Sequence, residues 1–345
     1  MRFATCTKDT KKPEKDKKVA IIGAGPAGLT AAGQLICEGY KVDVYDQLPE
    51  PGGLLLFGIP DFRFNKPKIR EGIKALYDLG VNFILNKKVG RDIDLEDLIQ
   101  KYDAVIIATG AWKSRTMGIP GEDADGVFQA LDFLVKLDLY KAGHLPKEEV
   151  PKYGKKFIVV GGGETAMDSC RTAVRLGAEQ VIVVYRRAME YAPAHKREIE
   201  IAEKEGVKFM WLTNPVRVIT DENGRVKEVE CIKMKLGEPD SSGRPRPEPI
   251  PESEFRIEAD TLILAIGQIP TPPFEDGKYG IKLNKNGTIW TDGQGRTTRK
   301  GVFAIGDIET GPKFVGTAIA SAKKAFKAII DWLENHNWPV EESIE

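Results

Sequence analysis

The chain has 345 residues, enough for two domains of ordinary size, each with its own core. Hydrophobic residues make up 41% and charged residues 30%, which excludes a disordered chain, and no apolar run approaches the roughly 20 residues that a membrane-spanning helix needs. Formal net charge is zero, which argues against a general affinity for nucleic acid or an anionic membrane.

The chain opens with a basic stretch broken by acids and a proline. It holds no apolar segment of signal-peptide length, so residues 1–17 are expected to be a solvated basic tail and export is not expected. An apolar run at 19–22 then breaks into Gly23-Ala24-Gly25-Pro26-Ala27-Gly28. A helical pattern follows and stops at Gly39, and a second strand at 41–45 ends on Asp46. Much later the same unit closes with a strand running into Ala108, Thr109 and Gly110.

From residue 157 the order repeats. A strand runs into Gly161-Gly162-Gly163-Glu164-Thr165-Ala166, a helix follows to Gly177, and the next strand ends on Arg186 and Arg187. Residues 260–267 close this unit on Gly267 as 103–110 closed the first. Strand, glycine turn, helix, strand means parallel βαβ, so the fold class is α/β with two doubly wound Rossmann-like units. Residues 237–251, rich in proline, glycine and charge, read as a surface hairpin tip or mobile loop. Pro270, Pro272 and Pro273 mark a crossover back to the first unit, which ends with Gly306, Asp307 and an amphipathic helix from about residue 316 to 335. The expected division is a tail at 1–17, a discontinuous first domain at 18–150 and 268–336, an inserted domain at 151–267 and a tail at 337–345.

The glycine turn has a physical purpose. Its first glycine allows the tight turn, its second lets backbone approach a pyrophosphate, and its third lets helix pack on strand, with the helix amides aimed at the anion. The residue ending each second strand separates the ligands. Asp46 can accept hydrogen bonds from a ribose diol and would repel a 2′-phosphate, whereas Arg186 and Arg187 invite one. Asp307 precedes the helix start at Val315, Gly316 and Thr317, so it could hold a ribityl hydroxyl while the helix's positive end faces a reduced flavin. The first unit is therefore expected to take FAD and the second NADPH. Cys6, Cys37, Cys170 and Cys231 lie far apart, with no CxxC pair and no metal-ligand spacing. Such lone cysteines are usually small buried hydrophobes, and a reducing, cytoplasmic location fits them.

From Lys18 to about Trp332 the chain resembles the small (β) subunit of glutamate synthase and the large subunit of the NADH-dependent ferredoxin–NADP reductase. The resemblance rests on Gly23 to Leu29, on Pro51-Gly52-Gly53-Leu54 with Gly58-Ile59-Pro60 and Arg63, and on Ala108-Thr109-Gly110. Further on it rests on Ile119-Pro120-Gly121-Glu122, Gly161 to Asp168, Tyr185-Arg186-Arg187 and Gly306-Asp307. It implies FAD contacts from Gly23, Gly25, Pro26, Ala27, Asp46, Gly53, Leu54, Arg63, Val89, Ala108, Thr109, Gly110, Gly306, Asp307 and Thr317. It implies an NADPH site lined by Gly162, Gly163, Glu164, Thr165, Arg186, Arg187 and Gly267. Members of these families usually carry an N-terminal domain with two iron–sulfur clusters; here only Cys6 precedes the first glycine turn. Electrons are thus expected to pass from FAD to a partner, a glutamate synthase large subunit or a ferredoxin-like carrier, and a homo-oligomer is compatible with the sequence.

Hydride transfer between nicotinamide and flavin needs no side-chain acid or base, so no catalytic residue and no metal ligand is named. Two other readings are a flavin-bearing subunit of a larger complex without NADPH turnover of its own, and a flavin monooxygenase. The second lacks the FxGxxxHxxx motif between the units.

Overall fold

A computed structural model describes residues 1–239 and 243–340. The chain forms two compact units: the first comprises Met1–Lys113 and the chain from Gln268 onward, the second Ser114–Gly267.

The first unit begins with β1 (Lys18–Ile22), α1 (Pro26–Cys37), β2 (Lys41–Tyr45), the single turn α2 (Leu54–Phe57), α3 (Lys66–Asp78), β3 (Asn82–Ile84), α4 (Leu95–Lys101) and β4 (Ala104–Ile107). A short strand, β5 (Lys113–Ser114), spans the boundary. In the second unit come β6 (Val127–Gln129), α5 (Ala130–Lys141), β7 (Lys156–Val160), α6 (Glu164–Arg175), β8 (Gln180–Tyr185), α7 (Lys196–Lys204) and β9 (Lys208–Trp211). The chain continues with β10 (Thr213–Thr220), β11 (Val226–Pro239), β12 (Pro245–Pro249), β13 (Phe255–Glu258) and β14 (Thr261–Leu264). It returns to the first unit through β15 (Gln268–Ile269), β16 (Val302–Ala304), the short α8 (Asp307–Thr310) and α9 (Val315–Asn335).

The first unit's sheet has the order β16-β4-β1-β2-β3, every pairing parallel. The second unit repeats it as β6-β14-β7-β8-β9, again parallel. Strands covered on both faces must be apolar throughout, and Val19, Ala20, Ile21 and Val159 are fully buried. The second unit also carries an antiparallel sheet in which β11 pairs with β10, β12 and β13. Sequence reading expected only the tip of the β11–β12 hairpin; residues 240–242 lie outside the described residues.

Four expectations need correction. The inserted unit starts at Ser114, well before residue 151, because β6 pairs with β14 and α5 buries Phe133, Leu134 and Leu137 in the cluster that holds Phe157. Residues 1–17 are no solvated tail. Phe3 and Ala4 are buried, a Cβ on Gly33 would stand 2.2 Å from the Phe3 carbonyl, and the amides of Lys12 and Lys15 donate to Cys37 and Gly39. The four cysteines are not all lone: Cys6 and Cys37 form a disulfide, joining the N-terminal strap to the end of α1, while Cys170 and Cys231 are free and buried. Burial pushes both of those thiols up to about 12. Finally, the stretch from 337 does not begin as a tail: Trp338 packs edge-on against Phe303 and Trp332, and residues 341–345 lie outside the described residues.

Candidate functional site

The site of the first unit lies along the carboxyl edge of its sheet, where open α/β folds bind ligands. Gly23 follows β1 with a φ of +110°, and a Cβ there would stand 2.3 Å from the carbonyl of Ala108, the residue after β4. A Cβ on Gly28 would stand 1.9 Å from the Gly23 carbonyl, so only glycine lets the turn fold against its own helix. Gly25, by contrast, faces open space and is the N-cap of α1, with Pro26 and Ala27 opening the helix. No side chain caps α1 and its first turn holds no acid, so its leading amides stand ready for an anion. Gly53, at φ +53°, closes over this turn: its Cβ would come within 2.8 Å of the Gly25 Cα, and the neighbouring Gly52 amide donates to Ala24. Leu54 then starts α2.

Asp46 follows β2 and is 8% exposed. Its carboxylate accepts from the amides of Ala24 (2.6 Å) and Leu48 (2.8 Å), and burial raises its pKa. These bonds fix the carboxylate while leaving lone pairs toward a cleft of about 360 Å³ lined by Asp46, Val89, Thr109, Trp112 and Pro270 to Pro273. Thr109 donates its hydroxyl to the Thr271 carbonyl, and Gly110 holds φ +72°. At the other end Gly306 takes φ +74°, and a Cβ there would stand 2.8 Å from that of Ala27, so this segment lies against the start of α1. Asp307 follows. Its Oδ1 is buried without a hydrogen-bond partner, and burial pushes its carboxyl up to about 6, opposed by the Lys313 amide. Thr317 lies in the first turn of α9, and Arg63 is half-buried on the loop before α3.

Glycine cradles, an uncapped helix, a fixed carboxylate and an orphaned carboxylate oxygen fit FAD. Asp46 suits the ribose, the turn at 23–28 the pyrophosphate, and Asp307 a polar group at the flavin end.

In the second unit Gly161, at φ +141°, stands where a Cβ would meet the Ala265 carbonyl at 2.3 Å. Gly162 lies under the ring of Tyr185, and Gly163 is the open N-cap of α6, which Glu164 and Thr165 begin. Glu164 accepts from the His195 amide at 2.9 Å and pairs with the exposed His195 ring. Gly267 takes φ +105°, and its carbonyl accepts from the Arg115 amide. The two arginines after β8 part company. Arg186 is exposed; Arg187 is 4% exposed, its Nε donating to the Pro245 carbonyl (2.9 Å) on β12 and its own carbonyl accepting from Leu212. The expected pair of phosphate readers is one exposed guanidinium and one built into the hairpin.

Sequence reading missed Trp112 and the contribution of Pro270 to Pro273 to the cleft. Their signal, an aromatic residue two positions after Gly110 and a proline cluster about 160 residues later, takes meaning only once the fold brings them together.

Two parallel sheets, each with a glycine turn running into a helix without a side-chain cap, define a protein with two dinucleotide-binding units. The chain belongs to the pyridine nucleotide-disulphide oxidoreductase family, whose pattern matches residues 17–322 and whose members bind FAD and NAD(P). Among relatives, it is 43% identical to the NADPH-Fe(3+) oxidoreductase subunit beta of Geobacter sulfurreducens, over 94% of this chain and 51% of the relative, so it spans about half of that protein's length. It is 41% identical to the glutamate synthase [NADPH] small chain of Escherichia coli, over 92% of this chain and 69% of that one. Among solved structures, Mycobacterium tuberculosis FprA in complex with NADPH matches with a TM-score of 0.77 at 23% identity, over 94% of this chain and 85% of FprA, a likeness of fold.

Proposed function

We propose that the first unit holds FAD, that the second holds NADPH, and that the chain moves a hydride between them and passes electrons to a partner protein. The observation that carries this is the contrast at two equivalent positions. Asp46, buried and acidic, follows β2 where a 2′-phosphate would be repelled; Arg186, exposed and basic, follows β8 where one would be welcomed. FAD and NADPH supply the hydride chemistry when bound. The chain's own residues bind and orient. The amides at the start of α1 and α6 face pyrophosphates, Asp46 holds a ribose diol, and Arg186 reads the 2′-phosphate. Asp307 offers its unpartnered oxygen to the flavin end. Gly53, Leu54, Arg63, Val89, Ala108, Gly110 and Thr317 complete the FAD contacts, and Gly267 the NADPH contacts.

The partner we favour is a glutamate synthase large subunit or a ferredoxin-like carrier, since the relatives named above include subunits of larger redox enzymes. Among the described residues no helix is long and apolar enough to cross a membrane. A cytoplasmic setting, where NADPH is available, suits this reading. The Cys6–Cys37 disulfide is not one of the free thiols from which a reducing compartment was expected. The test is anaerobic: NADPH should bleach the bound flavin, and re-oxidation by ferredoxin or by a large subunit with glutamine and 2-oxoglutarate should name the acceptor. A flavin that NADPH leaves oxidised would defeat the proposal and favour a subunit without its own turnover.

A further inference from the structure

Charge is spread unevenly along the last helix. Residues 311–330 hold four lysines, Lys313, Lys323, Lys324 and Lys327, and no acid, although the whole chain has 51 basic and 51 acidic residues. All four are exposed, and none forms a salt bridge among the described residues. A solvated helix face normally mixes its signs. On α3 the exposed charges alternate as Lys68, Glu71, Lys74 and Asp78, and Lys74 pairs with Asp78 at 2.7 Å. Helix stability does not explain the pattern on α9. Lys323 and Lys327 are like charges four apart, which repel, and Lys313 stands just before the helix's positive end, where acids are favoured. Beside Lys313 is Phe314, the N-cap of α9; at 56% it is the most exposed large apolar side chain among the described residues. The basic stripe runs about 18 Å along the helix from Val315 to Lys327. It begins at the flavin end, since the Asp307 carboxyl accepts from the Lys313 amide. It stops where the acids resume, at Asp331 and Glu334, which bond Asn335 and Lys15.

We propose that this face of α9 docks a protein electron carrier with an acidic surface. Phe314 supplies the apolar anchor, and the lysines steer the carrier in and fix its register. This docking rests on the reading that FAD lies in the first unit, and it brings the acceptor to the flavin end. One NADPH then reduces two one-electron carriers, leaving NADP⁺ and one proton.

The test uses the flavin-loaded full chain with a plant-type ferredoxin as the acidic probe. Ferredoxin affinity is measured by calorimetry, and NADPH-driven reduction of ferredoxin is compared with that of menadione, an uncharged acceptor that needs no docking. Both ferredoxin readouts of the parent should weaken as salt rises. Replacing three lysines together, Lys323→Gln, Lys324→Gln and Lys327→Gln, should lower ferredoxin affinity and kcat/KM roughly 10- to 100-fold at low salt and flatten the salt dependence. Menadione reduction, Tm and flavin content should match the parent's. Phe314→Ala should weaken ferredoxin about tenfold and keep the salt dependence. Ferredoxin bound and reduced equally well by the triple variant would overturn the proposal and leave the FAD and NADPH reading standing. So would a parent that ignores salt, or one that reduces menadione but neither binds nor reduces ferredoxin. Binding to phosphatidylserine vesicles that the triple variant loses, with ferredoxin unmoved, would give the face to a membrane and overturn the proposal too. Lysine-dependent ferredoxin binding by a chain that NADPH cannot reduce would instead overturn the NADPH reading and keep the docking face.

Discussion

Replacing Arg186 and Arg187 one at a time should separate two properties that the sequence presents as one. Arg186 is exposed at the end of β8, so Arg186→Ala should leave the fold intact and remove a charge-assisted bond to the 2′-phosphate. Such a bond is worth about 1.5–3 kcal/mol, which lowers kcat/KM for NADPH roughly 10- to 150-fold. NADH, which has no 2′-phosphate, should be nearly unaffected. Arg187 is 4% exposed and bonds the Pro245 carbonyl at 2.9 Å. Its truncation should cost a similar 1.5–3 kcal/mol in stability, or roughly 3–12 °C in Tm for a unit of this size. The preference for NADPH over NADH should then change little. The assay pairs thermal unfolding with flavin reduction by each nicotinamide. The reasoning fails if Arg187→Ala abolishes the NADPH preference at unchanged Tm, or if Arg186→Ala leaves that preference intact.

Two further outcomes concern the first unit. Burial raises the Asp307 carboxyl from 3.8 to about 6, so the folded flavin-free chain holds a proton there that the unfolded chain releases. That contribution to stability is fully present below pH 4 and is lost as pH rises through about 6; a shift of this size is worth about 3 kcal/mol. Asp307→Asn should flatten that part of the stability–pH curve measured by urea unfolding, and a curve identical to the parent's would refute the assignment. The Cys6–Cys37 disulfide closes a loop across a separation of 31 residues. In the chain-entropy picture, opening it should cost about 3–4 kcal/mol. Urea midpoints with and without dithiothreitol measure this, and coincident midpoints would show that the strap is held by packing alone.

Much of the fold can be read from the sequence because buried parallel strands are written as unbroken apolar runs. The strands ending at Ile22, Ile107, Val160 and Leu264 stand where such runs predict them. The antiparallel sheet around β11 is harder to see, since half of its residues face solvent and the stretch reads as polar loop. The N-terminal strap is invisible for a different reason: its fit depends on backbone lying against Gly33 and Gly72, and composition carries no trace of that. At the sites, Asp46 and the glycine turns are legible because spacing along one βαβ unit defines them. The burial of Arg187 is not, because its partner Pro245 lies 58 residues away on a hairpin that only the folded chain places there.

In the proposed function, electrons enter through this chain's own two units. Its most direct test is anaerobic titration of the flavin-loaded chain, without partner proteins, followed at the flavin's visible band. One equivalent of NADPH should bleach the band, and NADH should do so far less efficiently. A band that NADPH leaves unchanged, or that both nucleotides bleach equally well, would contradict the assignment of FAD to the first unit and NADPH to the second.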